Sequence, residues 1–219
     1  MNPNSGLFLS FEGNEGSGKS TQIDLLAERL REAGHPVSQW REPGGTALGE
    51  ALRPIIKTPA QDIQIGAMAE LLLISASRAQ LVNEIIVPRL ERGEIILVDR
   101  FLDSTLVYQG FGRGLATDLV QQAVALAVGD TFPHRTFLLK VPLEVSEARR
   151  QHRALALGET KPDRFEASDR TFFERIEQGY EQLAAKAPNR ILSIDATQSV
   201  AEVHAEIWQS VKALLALRA

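Results

Sequence analysis

Cysteine is absent from all 219 residues. That excludes disulfides, thiolate zinc sites and cysteine nucleophiles, and it fits a reducing compartment. An excess of positive charge is missing too. Lys and Arg number 24 against 28 Asp and Glu, a formal net charge of −4, so no global field draws the chain to nucleic acid or to an anionic membrane. The apolar stretch "AVALAV" (123–128) falls far short of the roughly 18–20 residues that a spanning helix needs. The start, "MNPNSGLFLSFEG", has no basic segment, and Ser10 and Glu12 break its apolar run, so it makes a poor signal peptide. There is no repeat, no low-complexity tract and no Pro/Gly/Ser-rich linker. His35, His134, His152 and His204 are scattered without ligand spacing. The expectation is one cytoplasmic domain over residues 1–219, without nucleic-acid or membrane partners.

What is present is an alternation of short apolar runs and amphipathic helices. "LFLSF" (7–11), "VSQW" (37–40), "EIILVD" (94–99), "RTFLLKV" (135–141) and "NRILSID" (189–195) are candidate strands, four of them strongly apolar, as parallel strands covered on both faces are. Ile23, Leu26, Ala27 and Leu30 recur at helical spacing, and so do Val200, Val203, Ile207, Val211 and Leu214. This pattern implies βαβ units, a parallel sheet and an α/β fold. Residues 46–93 read as two helices in one connection, the second closed by Gly93.

"GNEGSGKS" (13–20) fits the phosphate-loop pattern G-x-x-x-x-G-K-[ST] between a strand and a helix. Gly13 and Gly18 let the backbone turn tightly and aim N–H groups at phosphate oxygens, and the helix N-terminus adds partial positive charge. The ATP-binding candidates are Gly13, Asn14, Glu15, Gly16, Ser17, Gly18, Lys19, Ser20 and Thr21. Lys19 reaches the β- and γ-phosphates, and the Ser20 hydroxyl suits Mg²⁺. A plain helix-capping turn would not need the lysine. The third strand ends in Asp99-Arg100, at the carboxyl end where ligands sit in open α/β sheets. Asp99 suits the same ion through water, and Arg100 an anion.

"TKPD" (160–163) superficially resembles a guanine-reading motif, yet it follows "LALGE" rather than a buried strand. The D-x-x-G of a GTPase switch is missing, since the chain reads "DRFL". A small-molecule kinase needs further cations. On the helix of about 67–92, Arg78 interrupts an apolar face of Leu71, Ile74, Val82 and Ile85. It reads either as a snorkelling side chain or as a cation in a partly apolar slot suited to a base. Arg149, Arg150, Arg153 and Arg164 flank a glycine-containing loop. They read as a solvated helix face or, in a nucleotide kinase, as a lid of about 149–164 that carries arginines onto phosphate.

"FEGNEGSGKSTQ", "REPGGTALGEALR" (41–53), "LLLISASRAQ" (71–80), "DRFLDSTLVYQGFGRG" (99–114), "DRFE" (163–166) and "IDATQS" (194–199) together resemble bacterial thymidylate kinases, in the family's order and over nearly the whole chain. The resemblance implies a three-layer P-loop NTPase fold, with a five-stranded parallel sheet in the order 2-3-1-4-5, helices on both faces and a small lid. It also implies phosphoryl transfer from MgATP to dTMP, and a homodimer formed through helices flanking the acceptor site. By motif position, Glu15 lies near the acceptor sugar, Glu42 orders the acceptor site and metal water, and Arg53 and Arg100 hold the acceptor phosphate. Arg78 and Gln109 meet the thymine edge with Thr105 beside it, and Tyr108 packs where a ribose 2′-hydroxyl would go. Lys19, Arg100, Glu15 and a lid arginine, Arg153 ahead of Arg149, carry the catalysis. The family usually has phenylalanine where this chain has Ile74. That departure keeps dUMP or another nucleotide open as the acceptor, and a catalytically silent nucleotide-binding homologue is the alternative outside the enzymes.

Overall fold

The computed structural model describes residues 6–60, 62–157 and 163–218. Strands β1 (Phe8–Glu12), β2 (Val37–Arg41), β3 (Ile95–Asp99), β4 (Arg135–Lys140) and β5 (Ile191–Asp195) form one parallel sheet in the order β2-β3-β1-β4-β5. This is the order that the resemblance implies, and each strand lies within two residues of its expected position.

Successive strand side chains point to opposite faces of the sheet, and β1 uses the two faces differently. Leu9 and Phe11 join Leu7, Ile95 and Leu97 in a core under α1 (Lys19–Glu32) and α9 (Val200–Ala216). Phe8, Ser10 and Glu12 face the other way, and all three are fully enclosed. That second face runs from a ring through a hydroxyl to a carboxylate as it approaches the carboxyl end of the sheet. The same parity puts Asp99 on the α1 side with Ile95 and Leu97, next to the first turn of α1.

On the opposite face lie α3 (Ala67–Leu81) and α6 (Thr117–Val128), packed through Leu71, Leu81, Val120 and Val124. A third cluster joins α8 (Arg170–Lys186) to β4 and β5 through Phe172, Phe173, Ile176 and Tyr180. The connection from β2 holds α2 (Ala47–Lys57) and then one continuous helix, in which α3 passes through a π-helical segment, Val82–Ile86, into α4 (Val87–Glu91). The wider π turn shifts the buried stripe by a residue, so Ile86 is buried where Ile85 is expected, and Ile85 is only half-buried. By length and composition the helix from Ala67 to Glu91 is apolar enough to cross a membrane. In the fold one side of it packs on the sheet, and its internal charges, Glu70 and Arg78, are paired. After β3, α5 (Leu102–Thr105) continues into a second π-helical segment, Leu106–Gly112, which carries Tyr108 and Gln109. The last connections hold α7 (Leu143–Leu157) and, capped by Asp169, α8.

Candidate functional site

The glycine loop leaves β1 and enters α1 with Gly13, Gly16 and Gly18 all at positive φ. At Gly13 a side chain has no room, because a Cβ would stand 2.3 Å from the Leu139 carbonyl oxygen. The loop rims a cavity of about 510 Å³ lined by Glu15 through Gln22, with Asp99, Arg100, Arg53 and Arg149 opposite. Gly13 and Asn14 lie beneath it, and their carbonyl oxygens accept from Lys19 Nζ at 3.2 and 2.9 Å. Burial, and then the nearby Arg100 guanidinium, push the Lys19 ammonium down to about 8 against the pull of Asp99, Glu15 and Glu12. Ser20 Oγ donates to Asp99 Oδ2 at 3.2 Å, which brings together the hydroxyl and carboxylate expected to serve one ion.

Arg100 sits in the left-handed region at φ 67°, a conformation costing a non-glycine residue about 1–2 kcal/mol. Glu12 holds that turn. Its Oε1 accepts the N–H groups of Phe101 (2.8 Å) and Ser104 (3.2 Å), and its Oε2 accepts the hydroxyls of Ser104 (2.5 Å) and Tyr180 (2.8 Å). Burial, then the charge of Asp103, raise the Glu12 carboxyl to about 7. The Arg100 head, stacked over the Tyr108 ring at 5.0 Å, reaches Glu15 at 3.3 Å and Ser104 at 3.2 Å.

A second, smaller cavity of about 80 Å³ adjoins the first and shares Glu15, Glu42, Lys57 and Arg100 with it. Ile74, Arg78, Thr105, Tyr108, Gln109 and Phe165 are among the other residues of its wall. Arg78 does not snorkel. Its side chain is 1% exposed, and it binds Glu42 through Nε (2.8 Å) and Nη2 (2.6 Å) and the Phe101 carbonyl through Nη2 (3.0 Å). Burial raises the Glu42 carboxyl while Arg78 opposes the rise. Two buried polar atoms of this wall have no hydrogen-bond partner, Arg78 Nη1 and Thr105 Oγ1, and both are free to meet a ligand in the cavity. Gln109 spends its amide nitrogen on Glu70 Oε1 at 2.6 Å. Arg53 lines the larger cavity, with Nη1 on the Pro43 carbonyl at 2.7 Å.

The arginine-rich run divides. Arg149 reaches the carbonyls of Gly16 (3.4 Å) and Ala196 (3.1 Å) across the larger cavity. Arg150 stacks on Phe173 at 4.8 Å. Arg164 turns away from the loop to the Ile56 carbonyl at 3.0 Å and Glu70 at 2.6 Å. Of these three, Arg149 lines the larger cavity and Arg150 and Arg164 do not. The Arg153 side chain and residues 158–162 lie outside the described residues. The sequence reading missed Glu12 and Glu70. A carboxylate in a buried parallel strand is a signal for the first. Nothing local marks the second, whose partners lie 39 and 43 residues further on.

Phosphate cradle and slot share a wall, as direct transfer between two bound molecules requires, and together with the sheet order they define a P-loop nucleotide kinase. Comparison narrows the class. The thymidylate kinase family model matches residues 11–207. A thymidylate kinase of Deinococcus radiodurans is 48% identical, over 94% of this chain and 96% of its own, and one of Alcanivorax borkumensis is 44% identical over 97% and 99%. The crystal structure of thymidylate kinase from Ehrlichia chaffeensis superposes with a TM-score of 0.74 at 33% identity, covering 95% of this chain and 99% of its own. The chain belongs to the thymidylate kinase family, enzymes that phosphorylate dTMP to dTDP.

Proposed function

We propose that the larger cavity takes MgATP and the smaller one dTMP, and that the chain passes the γ-phosphoryl group between them, giving ADP and dTDP. The observation that carries this is the shared wall of Glu15, Glu42, Lys57 and Arg100. An oxygen of the dTMP phosphate attacks Pγ, a new P–O bond forms, and the bond from Pγ to the β,γ-bridging oxygen breaks with its electrons left on ADP. The attacking oxygen is already anionic, so no strong general base is needed; positioning and charge neutralisation carry the rate.

In this reading the ATP-binding residues are Gly13 to Thr21, Lys19 draws charge from the β- and γ-phosphates, and Arg100 with Arg53 holds the acceptor phosphate. Glu15 orients Arg100 near the acceptor sugar, and Glu42 keeps Arg78 in place. Arg149 is the lid cation with support from its place across the cavity, and Arg153, on the same helix, is its partner. Ser20 and Asp99 are hard oxygen donors 3.2 Å apart beside the phosphate loop, a set that fits Mg²⁺ carried mainly by phosphate oxygens and water. When bound, the ion neutralises charge on the β- and γ-oxygens. At the base, Arg78 Nη1 faces O4 and the Gln109 carbonyl oxygen faces N3–H, with Thr105 adjacent, Ile74 against the ring and Tyr108 filling the space of a 2′-hydroxyl.

We read one nucleoside monophosphate kinase domain with a lid of about 149–164, working in the cytoplasm. We also propose a homodimer through α2 and α3, whose outer faces expose Leu48, Ile55, Met68 and Leu72. Sedimentation is expected to give a dimer that Leu72→Glu dissociates; a monomeric parent would remove the proposal.

The test of function is ADP release with MgATP and a panel of dTMP, dUMP, dCMP, dGMP, UMP and AMP. Turnover strongest with dTMP is expected. Preference for dUMP would keep the chemistry and assign Ile74 a retuned base slot.

A further inference from the structure

We propose that Glu70 is a positioning residue that decides which end of the Gln109 amide faces the base slot, and thereby makes the slot choose keto over amino pyrimidines. The proposal rests on the pyrimidine reading of the smaller cavity.

Glu70 is fully enclosed on α3. An ionised carboxylate only accepts hydrogen bonds. Its Oε1 lies 2.6 Å from Gln109 Nε2, and with the amide reversed two oxygens would meet at that distance. Glu70 therefore fixes an orientation that an amide alone leaves open, and the carbonyl oxygen is the end that Gln109 can turn to the slot. Two further groups hold the carboxylate: Arg113 Nε, which donates at 3.2 and 3.3 Å, and Arg164 Nη2, in an ion pair at 2.6 Å. Arg164 is anchored in turn on α2, with its Nε on the Ile56 carbonyl and its backbone N–H on that of Lys57. Two guanidinium groups thus hold the carboxylate in place inside the fold.

The slot then presents a donor, Arg78 Nη1, which has no other partner, and an acceptor, the Gln109 oxygen. Thymine and uracil offer the complement, O4 as acceptor and N3–H as donor. Cytosine offers an amino group and a bare N3, so donor meets donor and acceptor meets acceptor. A site whose polar groups are left unpaired rejects the wrong partner strongly. Glutamine at position 70 would let the Gln109 amide flip and supply an N–H to cytosine N3.

The experiment measures kcat/KM for dTMP and dCMP in the parent, Glu70→Gln, Glu70→Asp, Gln109→Ala and the Glu70→Gln/Gln109→Ala double variant. Glu70→Gln is expected to lower the dTMP-over-dCMP preference by roughly 10–100-fold, through KM of the acceptor, with KM for ATP unmoved. Glu70→Asp, still an acceptor, retains most of the preference. In the Gln109→Ala background Glu70→Gln moves the preference no further, because the group it acts through is gone. Equal losses on both substrates, or an undiminished effect in the Gln109→Ala background, would overturn the proposal. If Glu70→Gln does not fold, the parent still decides. Its Gln109 side-chain amide protons, assigned by their loss in Gln109→Ala, should be shifted downfield and slow to exchange without any nucleotide, and ordinary solvent-like resonances would overturn the assignment to Glu70. A parent inactive on every pyrimidine would remove the reading of the slot itself, which is distinct from an active parent whose preference ignores Glu70.

Discussion

Lys19 shows how one buried side chain is set for a charged ligand. Its ammonium donates to two loop carbonyls, and burial together with Arg100 lowers it to about 8 from 10.5. Between those values the unfolded chain holds a proton that the folded chain has released, so this group makes the free protein gain stability as pH rises through that window. A bound polyphosphate reverses the pressure and restores the proton. Calorimetric titration of MgATP at pH 8.5, in two buffers of different ionisation enthalpy, should show uptake of a fraction of a proton, vanishing near pH 6.5. Lys19→Ala should abolish that uptake and cut turnover by at least ~10²–10³-fold; uptake that survives the substitution would assign the proton to another group. At Ile74, in the wall of the smaller cavity that we propose takes the base, a branched side chain excludes water but offers no ring face. Base–aromatic stacking is worth about 1–3 kcal/mol, so Ile74→Phe should tighten dTMP by roughly 1 kcal/mol, about fivefold in Kd. An unchanged Kd by competition binding would count against Ile74 lying on the base.

Between elements, the region behind the site is held by charge rather than by apolar packing alone. Arg190, just before β5, binds both oxygens of Asp103 on α5 at 2.6 and 2.7 Å and reaches Thr136 of β4, which in turn meets Ser10 of β1. Asp103 is 1% exposed and raises the neighbouring Glu12 carboxyl. Because Glu12 sits at about 7 rather than 4.5, the folded chain holds the extra proton between those values. Its contribution therefore favours the fold at lower pH and is lost as pH rises through 7. Arg190→Met strands Asp103 beside Glu12 without its counter-ion. Urea denaturation at pH 8 should show a loss of about 3–5 kcal/mol, with a smaller loss at pH 5.5, where Glu12 is protonated and no longer repels Asp103. A deficit independent of pH would mean that Arg190 acts through packing. The same cluster keeps Ser104 against Glu12 and so keeps the Arg100 turn at the acceptor side.

Across the whole molecule, both cavities lie beyond the carboxyl ends of the strands, closed by α7 on one side and by the segment from Asp163 on the other. Asp163 pairs with Lys57 at 2.8 Å, and Phe165 meets Tyr108 edge to face, so this segment forms part of the wall of the smaller cavity. A ligand in the larger cavity touches α1, β2, β3, α7 and α9 together, and should stabilise the domain as one unit. At a hundred times its Kd, MgATP should add about 2.7 kcal/mol, or roughly 5–10 °C in Tm for a chain of this size. ATP with EDTA should give a clearly smaller shift in the same thermal scan. Equal shifts with and without the ion would argue against Ser20 and Asp99 as its holders.

The sequence by itself determined the features that are local. A strand, a tight turn without side chains and a helix with Lys19 and Ser20 at its start are backbone demands met at fixed spacing, so residues 13–20 were legible. The buried parallel strands showed as apolar runs, and Asp99 stood out as the charge that ends one of them. Arg78 was visible as an interruption of an apolar helix face, but its pairing was not. Glu42 lies 36 residues away and meets it only once α3 lies against the end of β2. Glu70 reads as an ordinary helix residue until folding brings Gln109, Arg113 and Arg164 around it, and the partners of Arg150 and Arg164, Phe173 and Glu70, come from other parts of the chain. Those choices belong to the tertiary structure. A buried charge takes its role from whichever opposite charge or amide the packing brings within about 3 Å, and that proximity is set by how distant elements stack rather than by any spacing along the chain.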